Sequence, residues 1–222
     1  MNVKVIIGIV VGTALLIGGL VFWGNKTIPT KLGTKTDGAA QLVREYSPAI
    51  GATTEVAKVT LVEFGDFECP ACAGAAPILR ELVKQTKDLR LVFRHFPLDQ
   101  HLNAETVAKA AEAANAQGKF WELYDLAYAR QSEWNSLSIK DAEAKFESYA
   151  AELGLDLERF KQDRTKAALL DHIRLDKGEG LALGVTATPT LYLNGTKYEG
   201  DRDLESLKKA VAAARTSPAP AD

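Results

Sequence analysis

From Val5 to Trp23 the chain holds only apolar residues, glycines and Thr13. As a helix this run covers about 28 Å, close to the hydrocarbon thickness of a bilayer, and predicts a membrane anchor over residues 1–25. A cleavable leader has a shorter apolar core and a small-x-small site, and the stretch Gly24 to Pro29 offers no good one. An uncleaved anchor is therefore expected, with a long signal peptide as the alternative. Gly8 and Gly12 have the spacing that lets two spans pack, although glycine is simply common in membrane helices. Residues 26–47 are rich in Lys, Thr and Gly, lack an apolar period and read as a linker. The Pro- and Ala-rich residues 215–222 read as a disordered tail.

Between linker and tail, residues 48–214 alternate strand and helix signals. Lys58 to Phe64 is a β-branched and aromatic run, hence a buried strand. Pro70 to about Gln85 has Pro in its first turn and Ile78, Leu79, Leu82 and Val83 as an apolar stripe, hence a helix. Leu89 to Phe96 is a second strand, and a right-handed crossover makes it a parallel neighbour of the first. Helical patterns then fill residues of about 100–180. Asn103 can cap a helix through Val107, Ala110, Ala111 and Ala114 that Gly118 ends. Phe120, Leu123, Tyr124, Ala127 and Tyr128 form the next stripe. Ser138 and Asp141 have capping-box spacing before Phe146, Tyr149, Ala150 and Leu153. Asp156 can cap one further helix running to about Ala182. Strand signals return at Thr190–Leu193, Asn194-Gly195 is a hairpin turn, Thr196–Glu199 pairs back, and Leu204–Ala214 closes with a helix. The helical block reads as an insertion between two halves of an α/β domain.

Composition narrows the function. The chain has 222 residues, 46% hydrophobic and 25% charged, as ordinary globular proteins do. A net charge of -2 gives no basic excess for nucleic acid. Only two cysteines are present, and Cys69 and Cys72 stand three positions apart, so they cannot staple a fold of this size. Zinc normally takes four ligands; no second Cys pair exists, and His95, His101 and His172 lack the spacing of a finger. A purely structural bridge over so short a loop adds little closure entropy. Thiol–disulfide chemistry remains the leading explanation. It needs a thiolate that attacks a disulfide sulfur and a second thiol that resolves the mixed disulfide. Spacing i, i+3 in a first helical turn puts both sulfurs on one side. At the N-cap, free N–H groups and the helix dipole would lower the pKa of Cys69 and make it the nucleophile. Cys72, one turn inside, would resolve. Pro70 occupies a position whose N–H needs no partner.

The segments Val62-Glu63-Phe64-Gly65-Asp66-Phe67-Glu68-Cys69-Pro70-Ala71-Cys72, Gly184-Val185-Thr186-Ala187-Thr188-Pro189-Thr190 and Asn194-Gly195 resemble the DsbA-like branch of the thioredoxin superfamily. The resemblance covers roughly residues 49–214, the helical insertion included. It implies a thioredoxin-like α/β fold with an inserted helical domain, preceded here by one transmembrane helix. It implies thiol:disulfide oxidoreductase activity without a cofactor or metal. Pro189 is similar to the family's cis-proline facing the cysteines, and Thr188 to the residue whose backbone pairs with a substrate strand. Pro70 and Ala71 join them as candidate substrate contacts. Glu63 matches a buried acid that relays protons to the resolving sulfur; a strand-end carboxylate in water is the other reading. Asp66 and Glu68 are expected on the solvated rim, where negative charge opposes the thiolate. Ala71 departs from the stronger oxidants, which carry His there, and leaves open the strength and direction of the reaction.

For His95 and His101 an ordinary structural role is expected, and for Trp121, Tyr124 and Tyr128 a core role. The expected partners are unfolded or reduced secreted proteins and a membrane thiol oxidase of the DsbB or vitamin-K-epoxide-reductase type, the chain being monomeric. Lysines on both sides of the apolar run, taken by the positive-inside tendency, point the domain to the cytoplasm. Long following domains cross largely regardless of charge, and disulfides persist outside the cytoplasm. The expectation is a single-pass cell-membrane protein with an extracytoplasmic domain. The alternatives are a membrane-fed reductase or isomerase, or a non-enzymatic metal carrier.

Overall fold

The structure is a computed structural model that describes residues 42–216. The expected anchor, most of the expected linker and most of the tail lie outside the described residues. Among the described residues no helix is long and apolar enough to cross a membrane. That corrects the expected location: the single-pass assignment rested on the apolar run at 5–23, which lies outside the described residues, and no described helix crosses a membrane.

Five strands form one sheet in the order β1-β3-β2-β4-β5. β2 (Val59–Gly65) and β3 (Leu89–His95) run parallel, joined through helix α1 (Pro70–Gln85), as the crossover argument requires. β4 (Thr190–Leu193) lies antiparallel to β2, and β5 (Thr196–Tyr198) pairs back on β4. The turn between them has positive φ at both Asn194 (46°) and Gly195 (87°), the backbone that an Asn-Gly hairpin favours. β1 (Ala49–Gly51) adds an antiparallel edge to β3. A three-residue strand leaves too short an alternation to be read from sequence.

Between β3 and β4 stand α2 (Ala104–Asn115), α3 (Phe120–Ala129), a 3₁₀ turn (Gln131–Glu133), α4 (Ile139–Glu152), α5 (Leu157–Asp163) and α6 (Ala167–Ala182); α7 (Leu204–Ala214) follows the hairpin. The single helix expected from Asp156 to Ala182 is two. The backbone turns at Arg164–Lys166, where the Thr165 hydroxyl donates to the Gln162 carbonyl and gives the chain a local alternative to the helical ladder. Asn103 precedes α2 but does not cap it. Its side-chain amide donates instead to the carbonyl of Leu137 at 3.0 Å, tying α2 to the loop before α4. Ser138, Asp156 and Asp203 do cap their helices.

The period-2 alternation of β2 and β3 divides the core. One face carries Val59, Leu61, Leu89, Leu91 and Phe93 against α1 and the insertion. The other carries Val62, Phe64, Val92, Phe96 and Tyr192. There α6 approaches closely, and a Cβ on Gly180 would lie 2.7 Å from the Phe96 ring. Packing begins upstream of residue 48. Leu42 is buried, its carbonyl accepts from Arg94, and the Tyr46 hydroxyl donates to Asp176 at 2.8 Å.

Candidate active site

Cys69 occupies the N-cap of α1 with extended backbone (φ -71°, ψ 122°), and Pro70 is the first helical residue. An extended N-cap turns its side chain toward the free N–H groups of the first turn. Its neighbours there favour the thiolate, the Cys72 thiol most, with Thr188 and the backbone N–H groups of Cys72 and Ala71 adding to it. These donors outweigh partial burial and bring its pKa down from 9.0 to about 5. Cys69 is 7% exposed, with the exposed Pro70 and Ala71 beside it, and Cys72 is 0% exposed. Burial, followed by the hydrogen bond given to Cys69, pushes the Cys72 thiol well up.

The Thr188–Pro189 bond is cis. This loop faces the cysteine pair, and the Cys69 thiol lies 3.4 Å from the Thr188 carbonyl oxygen. Thr188 and Pro189 are buried. The Thr188 hydroxyl has no hydrogen-bond partner among the described residues.

The sequence model described as Thioredoxin (Thioredoxin_4) matches residues 44–213. The chain belongs to the thioredoxin family. Among its relatives, a protein of Salinispora arenicola named Na(+)/H(+) antiporter NhaA 1 is 41% identical over 159 residues, 71% of this chain and 23% of that protein. The chain thus spans about a quarter of that relative's length, and the antiporter name describes the whole of that protein. Among solved structures, a thioredoxin-like oxidoreductase from Silicibacter pomeroyi DSS-3 superposes with a TM-score of 0.67 at 28% identity, covering 80% of this chain and 97% of that one. DsbA2 of Pseudomonas aeruginosa superposes with a TM-score of 0.61 at 28% identity, covering 74% and 92%. The chain has a thioredoxin fold with a helical insertion and is similar over most of its described length to these two proteins.

Within this thioredoxin frame, Glu63 takes the buried of its two sequence readings. It is 0% exposed on the α1 side of β2, flanked in register by Phe93 and Leu191. Burial raises its pKa from 4.5 to about 8, against the opposing hydrogen bond from Tyr124. The Tyr124 hydroxyl donates to Oε2 at 2.9 Å, and Oε1 has no partner among the described residues. Gly65 lies below: a Cβ there would meet the Phe93 ring at 2.4 Å and Oε1 at 3.3 Å.

Asp66 is not on the solvated rim. It is buried and accepts from the Glu68 and Leu98 N–H groups at 2.8 Å and from His101 Nδ1 at 2.7 Å. Its carboxylate shapes the loop entering α1. Glu68 is half-buried and accepts the Asn103 N–H at 2.6 Å. His95 is buried with Nε2 2.9 Å from Glu112. The contacts of three residues from the insertion were not legible in the residues. Gln131 Nε2 donates to the carbonyls of Phe67 (2.8 Å) and Cys69 (3.1 Å), Tyr128 donates to the Asp66 carbonyl at 3.2 Å, and Tyr124 reaches Glu63. Tyr124 and Tyr128 are core residues as expected, and their hydroxyls also serve the site. A Gln in a turn between helices carries no local signal for such a contact.

Proposed function

We propose that the protein oxidises dithiols of unfolded or reduced proteins through its Cys69–Cys72 disulfide. A substrate thiolate attacks Cys69 Sγ and forms the mixed disulfide. The Cys69–Cys72 bond breaks, and Cys72 leaves as a thiolate that takes a proton. The second substrate thiolate then attacks the substrate sulfur, a substrate disulfide forms, and Cys69 leaves as a thiolate. Two electrons pass from substrate to enzyme. The observation that carries this direction is the Cys69 sulfur at the N-cap of α1 with its pKa brought down to about 5, which stabilises the leaving thiolate and with it the reduced enzyme. Glu63, protonated near neutral pH, is the acid for the leaving Cys72 sulfur. Thr188 and Pro189 receive the substrate strand, with Pro70 and Ala71 as the neighbouring contact. A thiol oxidase of the DsbB or vitamin-K-epoxide-reductase type would restore the disulfide.

A second reading runs the same steps backwards as a reductase or isomerase. The observation in its favour is Ala71, which places no cation beside the sulfur.

The reduction potential decides between them. A value above about -200 mV is expected, and one near or below about -270 mV would reverse the direction. Cys69→Ser is expected to abolish peptide dithiol oxidation, and Cys72→Ser, offered the peptide in its disulfide form, to stop at the mixed disulfide on Cys69. Retained turnover in Cys69→Ser would remove the assignment altogether.

A further inference from the structure

We infer that Tyr124 is a positioning residue for the proton step: from the helical insertion it holds Glu63 Oε2 and leaves Oε1 as the oxygen that exchanges the proton with Cys72. This rests on the acid role proposed for Glu63. The geometry is specific. Glu63 is fully buried on the face of β2 that packs against α1 and the insertion, and Tyr124 is its one hydrogen-bond partner among the described residues. A buried carboxyl usually satisfies both oxygens, so an orphaned one calls for an explanation. A proton-transfer partner supplies it.

The ionisable groups around this carboxyl come from two helices. α1 contributes Cys69 and Cys72, and the Glu63 charge acts directly on Cys72. α3 contributes Tyr124 and Tyr128, both of which feel that charge. The register neighbours on β3 and β4, Phe93 and Leu191, do not titrate. Burial holds the Tyr124 phenol well above its usual pKa, so its hydroxyl stays a donor throughout the working range. A donor fixed on Oε2 favours the carboxylate and opposes its desolvation. In the oxidising direction the proton leaves Oε1 for the Cys72 sulfur as the Cys69–Cys72 bond breaks. In the reducing direction Oε1 takes the proton from the Cys72 thiol as that sulfur attacks Cys69 of a mixed disulfide.

The test is Tyr124→Phe in the full chain, which keeps the ring and its packing and removes only the hydroxyl. Carboxyl-labelled glutamate followed by NMR in the reduced protein reads the Glu63 midpoint directly. It is expected to move up by about one unit, the shift produced by losing one hydrogen bond to a charged group. Stopped-flow reaction with 5,5′-dithiobis(2-nitrobenzoate) reads the Cys72 step as the second of two releases of thionitrobenzoate. At pH 7 that phase is expected to slow about tenfold, because the carboxylate fraction falls tenfold, and the deficit is expected to narrow as the pH rises. A purely structural hydroxyl would alter unfolding without moving the Glu63 midpoint or the pH dependence of the second phase. Glu63→Gln separates the two ideas. If it removes the pH dependence of the second phase while Tyr124→Phe leaves the midpoint in place, the inference about Tyr124 fails and the acid role stands. If Glu63→Gln leaves that pH dependence untouched, the acid role fails with it.

Discussion

Two buried carboxylates lie on opposite faces of the same sheet, and they are treated in opposite ways. On the α6 face, Asp176 accepts from Arg94 Nε at 2.6 Å, from the His95 N–H at 2.9 Å and from the Tyr46 hydroxyl at 2.8 Å. Glu179 is paired with both Arg94 and Arg44. Every charge there has a counter-charge, and the network binds residues 42–46, β3 and α6 to one another. On the α1 face, Glu63 has one neutral donor and a bare oxygen, and Thr188 has a bare hydroxyl. Each lies beside one of the two sulfurs. Full satisfaction locks a group into one protonation state, whereas partial satisfaction leaves it free to exchange a proton. The complete network is architecture, and the incomplete one is where chemistry can happen.

The comparison breaks most visibly at Arg94. Arg94→Met leaves Asp176 and Glu179 without their buried counter-charge and is expected to cost about 3–5 kcal/mol in urea unfolding. The rate of thiol exchange per folded molecule should stay the same. A loss under about 1 kcal/mol would mean that the network is not what anchors α6 to the sheet.

Glu63 is expected to show the opposite behaviour. Its folded pKa, about 8, lies above its unfolded value near 4.5. The folded state therefore holds a proton that the unfolded state has released. Stability from this group is full below about pH 4.5 and declines until about pH 8, by a few kcal/mol in all. Cys69 acts against it, since its pKa is depressed to about 5 and it adds stability as the pH rises from there toward 9. Comparing Glu63→Gln with the parent, both reduced and both retaining Cys69, isolates the carboxyl. The glutamine variant is expected to gain on the parent steadily between pH 5 and pH 8. Parallel curves would mean that Glu63 is ionised in the fold, and its proposed acid role would go with it.

The two faces also differ in how far they could be read from sequence. The cysteine pair, the helix that opens on Pro70, the parallel strands and the Asn-Gly hairpin follow from local rules of period, cap and turn, and all are found in place. Pro189 and Thr188 were reached through resemblance, because nothing local forces a 119-residue excursion to return beside Cys69. The Arg94 network was invisible. It joins a strand, a helix 82 residues later and a segment assigned to a linker, and each residue alone looks like a surface charge. Glu63 was ambiguous because a carboxylate at a strand end has water as its default, and only the insertion packed above it removes that water. The assignment of Asp66 to the rim failed for the same reason.

The smallest effect tests whether the second bare group is also tuned for chemistry. Thr188→Val keeps the shape and the cis-proline loop but removes the hydroxyl beside Cys69. Thr188 is among the groups that hold the Cys69 pKa down, so the Cys69 midpoint is expected to rise from about 5 by about half a unit to one unit. Iodoacetamide alkylation across pH reads that midpoint. The reduced form should lose the corresponding stability relative to the oxidised form, so the potential should move toward more reducing values. Gln131→Ala serves as the control, because Gln131 holds the Phe67 and Cys69 carbonyls and does not touch a sulfur. It is expected to cost about 1 kcal/mol of stability and to leave the midpoint unmoved. If both variants moved the midpoint equally, the thiolate would owe its stability to the placement of the loop, and the bare hydroxyl of Thr188 would be an accident of packing.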